Sequence, residues 1–411
     1  MASPNITTTL ALDETATLLA FGERVEVPSR FLLDRYFPTN PITDIFPTED
    51  VLIDFHDKRG KKLAPLVHEG FKTGARRSFY TDRLTPCRIA PKRTLGIAAL
   101  MKRGYGEQLF SGETATERAV EIVMQDVTDM HHEIYRRKMA MAGELLTSNK
   151  YTLAYVASDA ARDDEDVTEQ TVSFIDTDGN IAAYTPDVMW DAEGADILAD
   201  VRAMCRQVVE NGGAAVDLLL GTDAADAFVK DERILKLLDI KRVEIGNIDP
   251  QLLMQGVALI GKINVDGCRL NVISYWETYT DDNGQQVPYL PADAAVVLAP
   301  NCGKTLYAAV TQLEQSDNSY HTYEKPIVPK YIGDAEDDAL ALMMQSKPVL
   351  VPKVKGCFVY AHVITPAEEG GGGEGGGGEG GGGESGGGGE SGGGGESGGG
   401  GESGGGGESG K

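Results

Sequence analysis

A few short stretches hold residues whose types could do chemistry. Gly303-Lys304-Thr305 has the ending of a phosphate-binding loop, in which backbone amides and a lysine cradle phosphate oxygens. That loop needs a first glycine five residues earlier, and the residue there is Leu298. His132-Glu133 opens like a zinc-binding H-E-x-x-H helix, but Arg136 stands where the second ligand belongs. The adjacent His131 points to another helix face, so both histidines are expected to face solvent. Residues 176–180, DTDGN, resemble the start of a calcium loop without its third acid and closing glutamate, which predicts a turn at a strand end. No nucleophile elbow occurs, and no Cys and His share a context that would activate a thiol. Asn5-Ile6-Thr7 is a glycosylation sequon by pattern alone. The expectation is a protein with no catalytic residues, cofactor or metal.

Charge is the stronger signal. The chain has 411 residues and a formal net charge of -25. From Lys58 to Arg93, eleven basic residues face only Glu69 and Asp82, a local balance of +9 that leaves -34 for the remainder. Seven of the eleven, Lys58, Arg59, Lys61, Lys62, Lys72, Arg76 and Arg77, are candidates for contact with an acidic surface. Aromatic residues among them are sparse (Phe71, Phe79, Tyr80), which disfavours a nucleic-acid-binding arm, and the overall charge disfavours a protein that wraps DNA.

The elements that must carry this ribbon follow from pattern. VLIDFH (51–56) and RRSFYTD (76–82) are strand-like runs around a Gly- and Lys-rich centre, so 51–95 is expected to form an extended hairpin that needs a surface to lie on. A Pro-punctuated arm, 1–50, precedes it. Thr114 and Glu117 form a capping box, and Ala119, Val123, Val127, Met130, Ile134, Met141 and Leu145 recur at three- and four-residue strides. That spacing predicts one long helix over 114–146, roughly 50 Å from end to end, with Val127, Met130 and Ile134 on its buried face. Helices near 194–211 and 222–238 alternate with apolar strands, and Asp282-Asn283-Gly284 marks a tight turn. DDALALMMQSKPVLVP and GCFVYAHVI are expected as two closing strands.

Five scattered cysteines without a CxxC suit reduced core thiols in a cytoplasmic setting. The opening MASPNITTTLALDE has no basic region leading into a long apolar core, so no secretory signal is expected, and no apolar run approaches a membrane span. The body is expected to end near Ile364. Beyond it, residues 370–410 hold 29 of the chain's 51 glycines among evenly spaced glutamates, a composition that cannot build a core.

The order of these parts resembles the tailed-phage major capsid proteins of the lambda-type capsid protein E family. The resemblance rests on TATLLAFGERVEVPSRFLLDRYFP, AGELLTSNKYTL, VISYWETYTDDNGQQVPYLPADAAVVLAP and IGDAEDDALALMMQSKPVLVP, and covers about residues 15–364. It implies an α+β Hong Kong 97-type capsid fold. The N-terminal arm would be 1–50, the E-loop hairpin 51–95 and the P-domain with its spine helix 96–185. An A-domain would span 186–319, P-domain return strands 320–364, and a disordered tail 365–411. The implied function is self-assembly, as pentamers and hexamers, into an icosahedral shell around double-stranded phage DNA. The basic E-loop would lie across a neighbouring copy. Implied partners are a separate scaffolding protein, a portal and a decoration protein, with location in the virion after assembly in the host cytoplasm. An encapsulin-like nanocompartment and a cytoplasmic α/β enzyme with an unseen site stay open as alternatives at this level. Because the Gly/Glu/Ser tail has no apolar or turn-specific residues, deleting 370–411 should leave shell size unchanged, as measured by electron microscopy of particles.

Overall fold

The computed structural model describes residues 18–19, 29–56, 79–96, 115–156, 167–175, 179–234, 251–254, 256–281, 284–315, 317–334 and 339–366. The tail beyond Pro366 lies outside them. Among the described residues four helices are named here: α1 (Phe31–Tyr36), α2 (Ala115–Ser148), α3 (Ile197–Glu210) and α4 (Thr222–Lys230). With nineteen strands they make a mixed α+β fold.

The largest sheet has six strands: β6 (Asp217–Leu220), β7 (Gln251–Met254), β8 (Val257–Val265), β9 (Cys268–Tyr275), β12 (Ala294–Leu298) and β19 (Val359–His362). Their order is β19-β12-β6-β9-β8-β7, and the β6–β9 pair is parallel while the other neighbours are antiparallel. The central strands β6 (DLLL) and β12 (AAVVL) are buried along their whole length, the mark of a sheet covered on both faces. One face carries α3 and α4, through Val201, Met204 and Val208 and through Ala224 and Phe228, against Leu218, Leu220, Val272 and Val297. On the opposite face Leu219, Ile273, Val296 and Leu298 share a core with α1 and with Met139, Ala142, Leu145 and Leu146 of α2.

Helix α2 is the spine, 34 residues and about 51 Å long. Its first half packs elsewhere. Val123, Val127, Met130 and Ile134 are buried against Leu95, Leu342 and Met344. Those partners belong to a three-stranded antiparallel sheet, ordered β16-β17-β3, of β3 (Lys92–Gly96), β16 (Val328–Asp334) and β17 (Ala339–Gln345). One helix thus holds two cores. Gly143 lets it come close: a Cβ there would sit 1.8 Å from the carbonyl oxygen of Tyr289.

The remaining strands pair in twos: β1 (Val51–His56) with β2 (Phe79–Leu84), β4 (Lys150–Val156) with β5 (Val167–Ser173), and β10 (Thr278–Thr280) with β11 (Gln286–Pro288). The other two pairs are β13 (Gly303–Tyr307) with β18 (Pro348–Pro352), and β14 (Val310–Leu313) with β15 (Tyr320–Tyr323). Of the expected turn at Asp282-Asn283-Gly284, Gly284 is in the left-handed region at φ 80°, and residues 282–283 lie outside the described residues.

Three expected elements come out differently. The 222–238 helix stops at Lys230, because the Asp231 carboxylate accepts hydrogen bonds from the amides of Arg233 and Ile234 and starts a new turn. The run DDALALMMQSKPVLVP is two strands, not one: β17 joins one sheet and β18 another, with the change of partner at Ser346-Lys347. Lys92–Gly96 leaves the hairpin to pair with β17.

The spine also contains Lys138, whose side chain is fully buried. Its Nζ donates to the Tyr307 hydroxyl at 3.2 Å and lies 3.8 Å from the centre of the Tyr135 ring. Burial, with Arg30 nearby and Asp34 opposing, pulls its pKa down from 10.5 to about 7. Between those two values the unfolded chain holds a proton that the folded chain does not, so raising the pH stabilises the fold. Stability should therefore climb from pH 7 towards pH 10 by at most about 1.4 kcal/mol per pH unit from this group. Lys138→Met should lack that slope and be more stable at pH 7, as read by urea denaturation at several pH values.

Candidate inter-subunit surface

The sequence-predicted contact residues Lys58, Arg59, Lys61, Lys62, Lys72, Arg76 and Arg77 lie outside the described residues. The described part is the stem that carries them. Strands β1 and β2 pair in continuous register from Val51↔Leu84 to His56↔Phe79. Alternation does the rest: Val51, Ile53 and Phe55 are buried, while Leu52 and Asp54 face out. Phe55 meets Phe174 edge-on at 5.9 Å. Asp50 accepts hydrogen bonds from Thr85 and Arg83, and these hold its carboxyl below the usual carboxylate range. A two-stranded ribbon, marginal alone, is thereby fixed at its base.

Part of the basic ribbon is used inside the chain. Arg93, on β3, reaches three acids on the spine: Asp126 at 2.8 Å, Asp129 at 3.2 Å and Glu133 at 2.8 Å. Burial pulls its pKa down, but the hydrogen bonds to Asp126, Glu133 and Asp129 outweigh burial and raise it. Arg83 pairs with Asp50, and Arg88 lies 3.4 Å from the Gln345 side-chain oxygen. The +9 read from sequence is thus not all available to a second copy. The acids at 126, 129 and 133 sit at helical spacing on one face, a signal that sequence could have supplied.

The arm is tied to the large sheet by one polar knot. Asp217 is completely buried at the start of β6. Arg35 of α1 donates to both its carboxylate oxygens, at 2.7 and 2.9 Å, Asn271 donates at 2.8 Å and the Tyr36 hydroxyl at 3.3 Å. The hydrogen bond to Asp217 raises the Arg35 pKa against the lowering effect of burial. No sequence signal joins residues 182 positions apart.

The chemistry-like motifs resolve as structure. Gly303-Lys304-Thr305 is the start of β13; a Cβ at Gly303 would lie 2.2 Å from the Phe37 ring, and the Thr305 hydroxyl donates to the Phe37 carbonyl at 2.8 Å. Contrary to the solvent-facing expectation, His131 is buried, and burial, then Lys138 and His132, pushes its pKa down to about 4. On the same turns Met130 and Ile134 pack into the core of the β16-β17-β3 sheet, and Arg30 of the arm lies over the Tyr135 ring at 5.2 Å. Asn180 of the DTDGN stretch accepts from Asn149 and donates to Tyr360. Residues 176–178 lie outside the described residues. The five cysteines are free. Among the described residues no cluster of His, Cys, Asp and Glu could hold a metal, and no helix is long and apolar enough to cross a membrane.

These features define a class: a long spine helix bridging two cores, a two-stranded stem at β1–β2 and a layered α/β unit make the Hong Kong 97-type capsid fold. A chain assigned as a prophage capsid protein of Escherichia coli CFT073 is similar at a TM-score of 0.54 and 16% identity, over 85% of this chain and 99% of that one. The capsid of Myoviridae phage XM1 is similar at a TM-score of 0.40 and 10% identity, over 81% and 91% of the two chains. The holo-SrpI encapsulin complex of Synechococcus elongatus PCC 7942 follows at 0.39 and 9%, over 83% and 89%. No curated protein matches the sequence. The family described as phage major capsid protein E matches residues 14–363. The chain belongs to that family and is a phage major capsid protein. Family and fold together imply a structural role, in the virion.

Breaking the Arg35–Asp217 pair tests the knot. Arg35→Met strands a buried carboxylate and should cost about 3 kcal/mol by urea denaturation. Asp217→Asn should cost less, because Arg35 is partly exposed and can turn to water. Unchanged denaturation of Arg35→Met would show that the arm is held by its apolar contacts alone.

Proposed function

We propose that copies of this capsid protein join, as pentamers and hexamers, through the basic loop between β1 and β2. Its seven candidate residues, Lys58, Arg59, Lys61, Lys62, Lys72, Arg76 and Arg77, would lie on an acidic surface of the neighbouring copy. The observation that carries the reading is the stem. It is a register-paired hairpin whose base is fixed by Asp50, Arg83 and a row of buried apolar residues, and it leads into a segment rich in unopposed positive charge in a chain of -25. A rigid stem lowers the ordering cost of docking, and opposite charges on the two contacting surfaces set orientation more than affinity. The same acidity suits a container for double-stranded DNA, since a lining that does not grip phosphate lets the polymer pass.

In this reading the chain has no catalytic step and works with a scaffolding protein, a portal and a decoration protein supplied as other chains, assembling in the host cytoplasm. The family match favours a phage head over an encapsulin-like compartment. Reversing Lys61, Lys62, Arg76 and Arg77 to glutamate should leave a subunit that melts normally but forms no particles, judged by calorimetry and electron microscopy. Particles in normal yield from that variant would remove the loop from the interface.

A further inference from the structure

Ile42 is 90% exposed, the most exposed of the large apolar side chains among the described residues. A β-branched aliphatic residue held in water has no stabilising role in its own subunit. The loop that carries it is nevertheless tightly built. The amides of Thr43 and Asp44 donate to the Asn40 carbonyl at 3.2 and 3.0 Å, and the Ile42 amide donates to the Asn40 side-chain oxygen at 3.0 Å. The carboxylate of Asp44, itself buried, accepts from the Asn40 amide at 2.8 Å and the Thr43 hydroxyl at 3.1 Å. Both ends are stitched to β13: on the N-terminal side the Thr305 hydroxyl donates to the Phe37 carbonyl, and on the C-terminal side the Tyr307 amide donates to the Asp44 carbonyl and the Phe46 amide to the Tyr307 carbonyl, each at 2.8 Å. Pro38, Pro41 and Pro47 remove further backbone freedom.

The loop is also nearly free of charge. From Tyr36 to Thr48 the sequence is YFPTNPITDIFPT, and its one ionisable acid, Asp44, is folded inward. Two copies of a chain with net charge -25 repel wherever their surfaces are acidic. A neutral apex is where they can touch without that cost, and depletion of charge around an apolar anchor is the pattern of an interface centre. Preorganisation means that docking such an apex gives up little conformational entropy.

We infer that the Pro38–Pro47 loop is a preformed anchor between copies of this capsid protein, with Ile42 seated in an apolar recess of the neighbouring copy. This rests on the shell-forming reading above and adds a contact outside the basic hairpin. The test compares particles and free subunits from cells producing the chain with its natural assembly partners. Ile42→Asp should melt like the parent yet lower particle yield at least about tenfold, since burying an isoleucine is worth more than one decade in association. Ile42→Val should assemble normally. In Ile42→Cys, maleimide labelling of the introduced thiol, quantified by mass spectrometry, should be at least about tenfold slower in particles than in free subunits. Parent-like yield of Ile42→Asp particles, or equal labelling at position 42 in both states, overturns the inference. So does protection that appears only when another virion protein is added, because the occupant would then not be a second copy. If Ile42→Asp misfolds, the labelling result decides. Failure of the parent chain to form any particle would instead overturn the shell reading itself.

Discussion

The Asp217 carboxylate is sealed from water at the head of a central strand, and the rest of the molecule is arranged so that this charge is met. Arg35 approaches it with two parallel hydrogen bonds, Asn271 fills a third position and Tyr36 a fourth. A planar guanidinium is the group suited to such a fork. The consequence is positional. Helix α1 cannot slide along the sheet without stranding a buried charge, and the segment that follows it, through Ile45 to the β1–β2 stem, takes its starting point from there.

The spine helix extends that constraint across the molecule. Its C-terminal half shares a core with α1 and the six-stranded sheet, and its N-terminal half with the β16-β17-β3 sheet. An apolar stripe that changes partners midway makes one rigid rod common to both cores. Gly143 brings the rod against the Tyr289 backbone, closer than any side chain would permit. Lys138, one residue before Met139 begins the second set of contacts, is held by two aromatic rings and a hydroxyl.

Part of the basic ribbon's charge is used to hold the subunit together. Arg83 and Arg93 look, in sequence, like part of the basic ribbon, but each is committed to acids of its own chain. The proposed contact surface therefore narrows to the residues between the two strands of the stem. The neutral, proline-framed loop at Ile42 complements it: one surface would attract copies by charge, the other receive them by shape and burial.

Periodicity alone identified the spine helix and the burial of Val127, Met130 and Ile134, since those strides report one face of a helix regardless of what covers it. Strand-like runs likewise marked the stem, and composition set the tail apart. Order of parts was enough to suggest the family. What only the tertiary structure decided are the pairings between distant residues. Arg35 with Asp217 and Lys92–Gly96 with β17 leave no local trace, and the legible row of acids on the spine does not name Arg93 as its partner, because a hydrogen bond across the fold depends on which backbones are brought side by side. His131 shows the same limit from the other side: helical spacing tells which residues share a face, but not how many faces a neighbouring sheet and arm will cover.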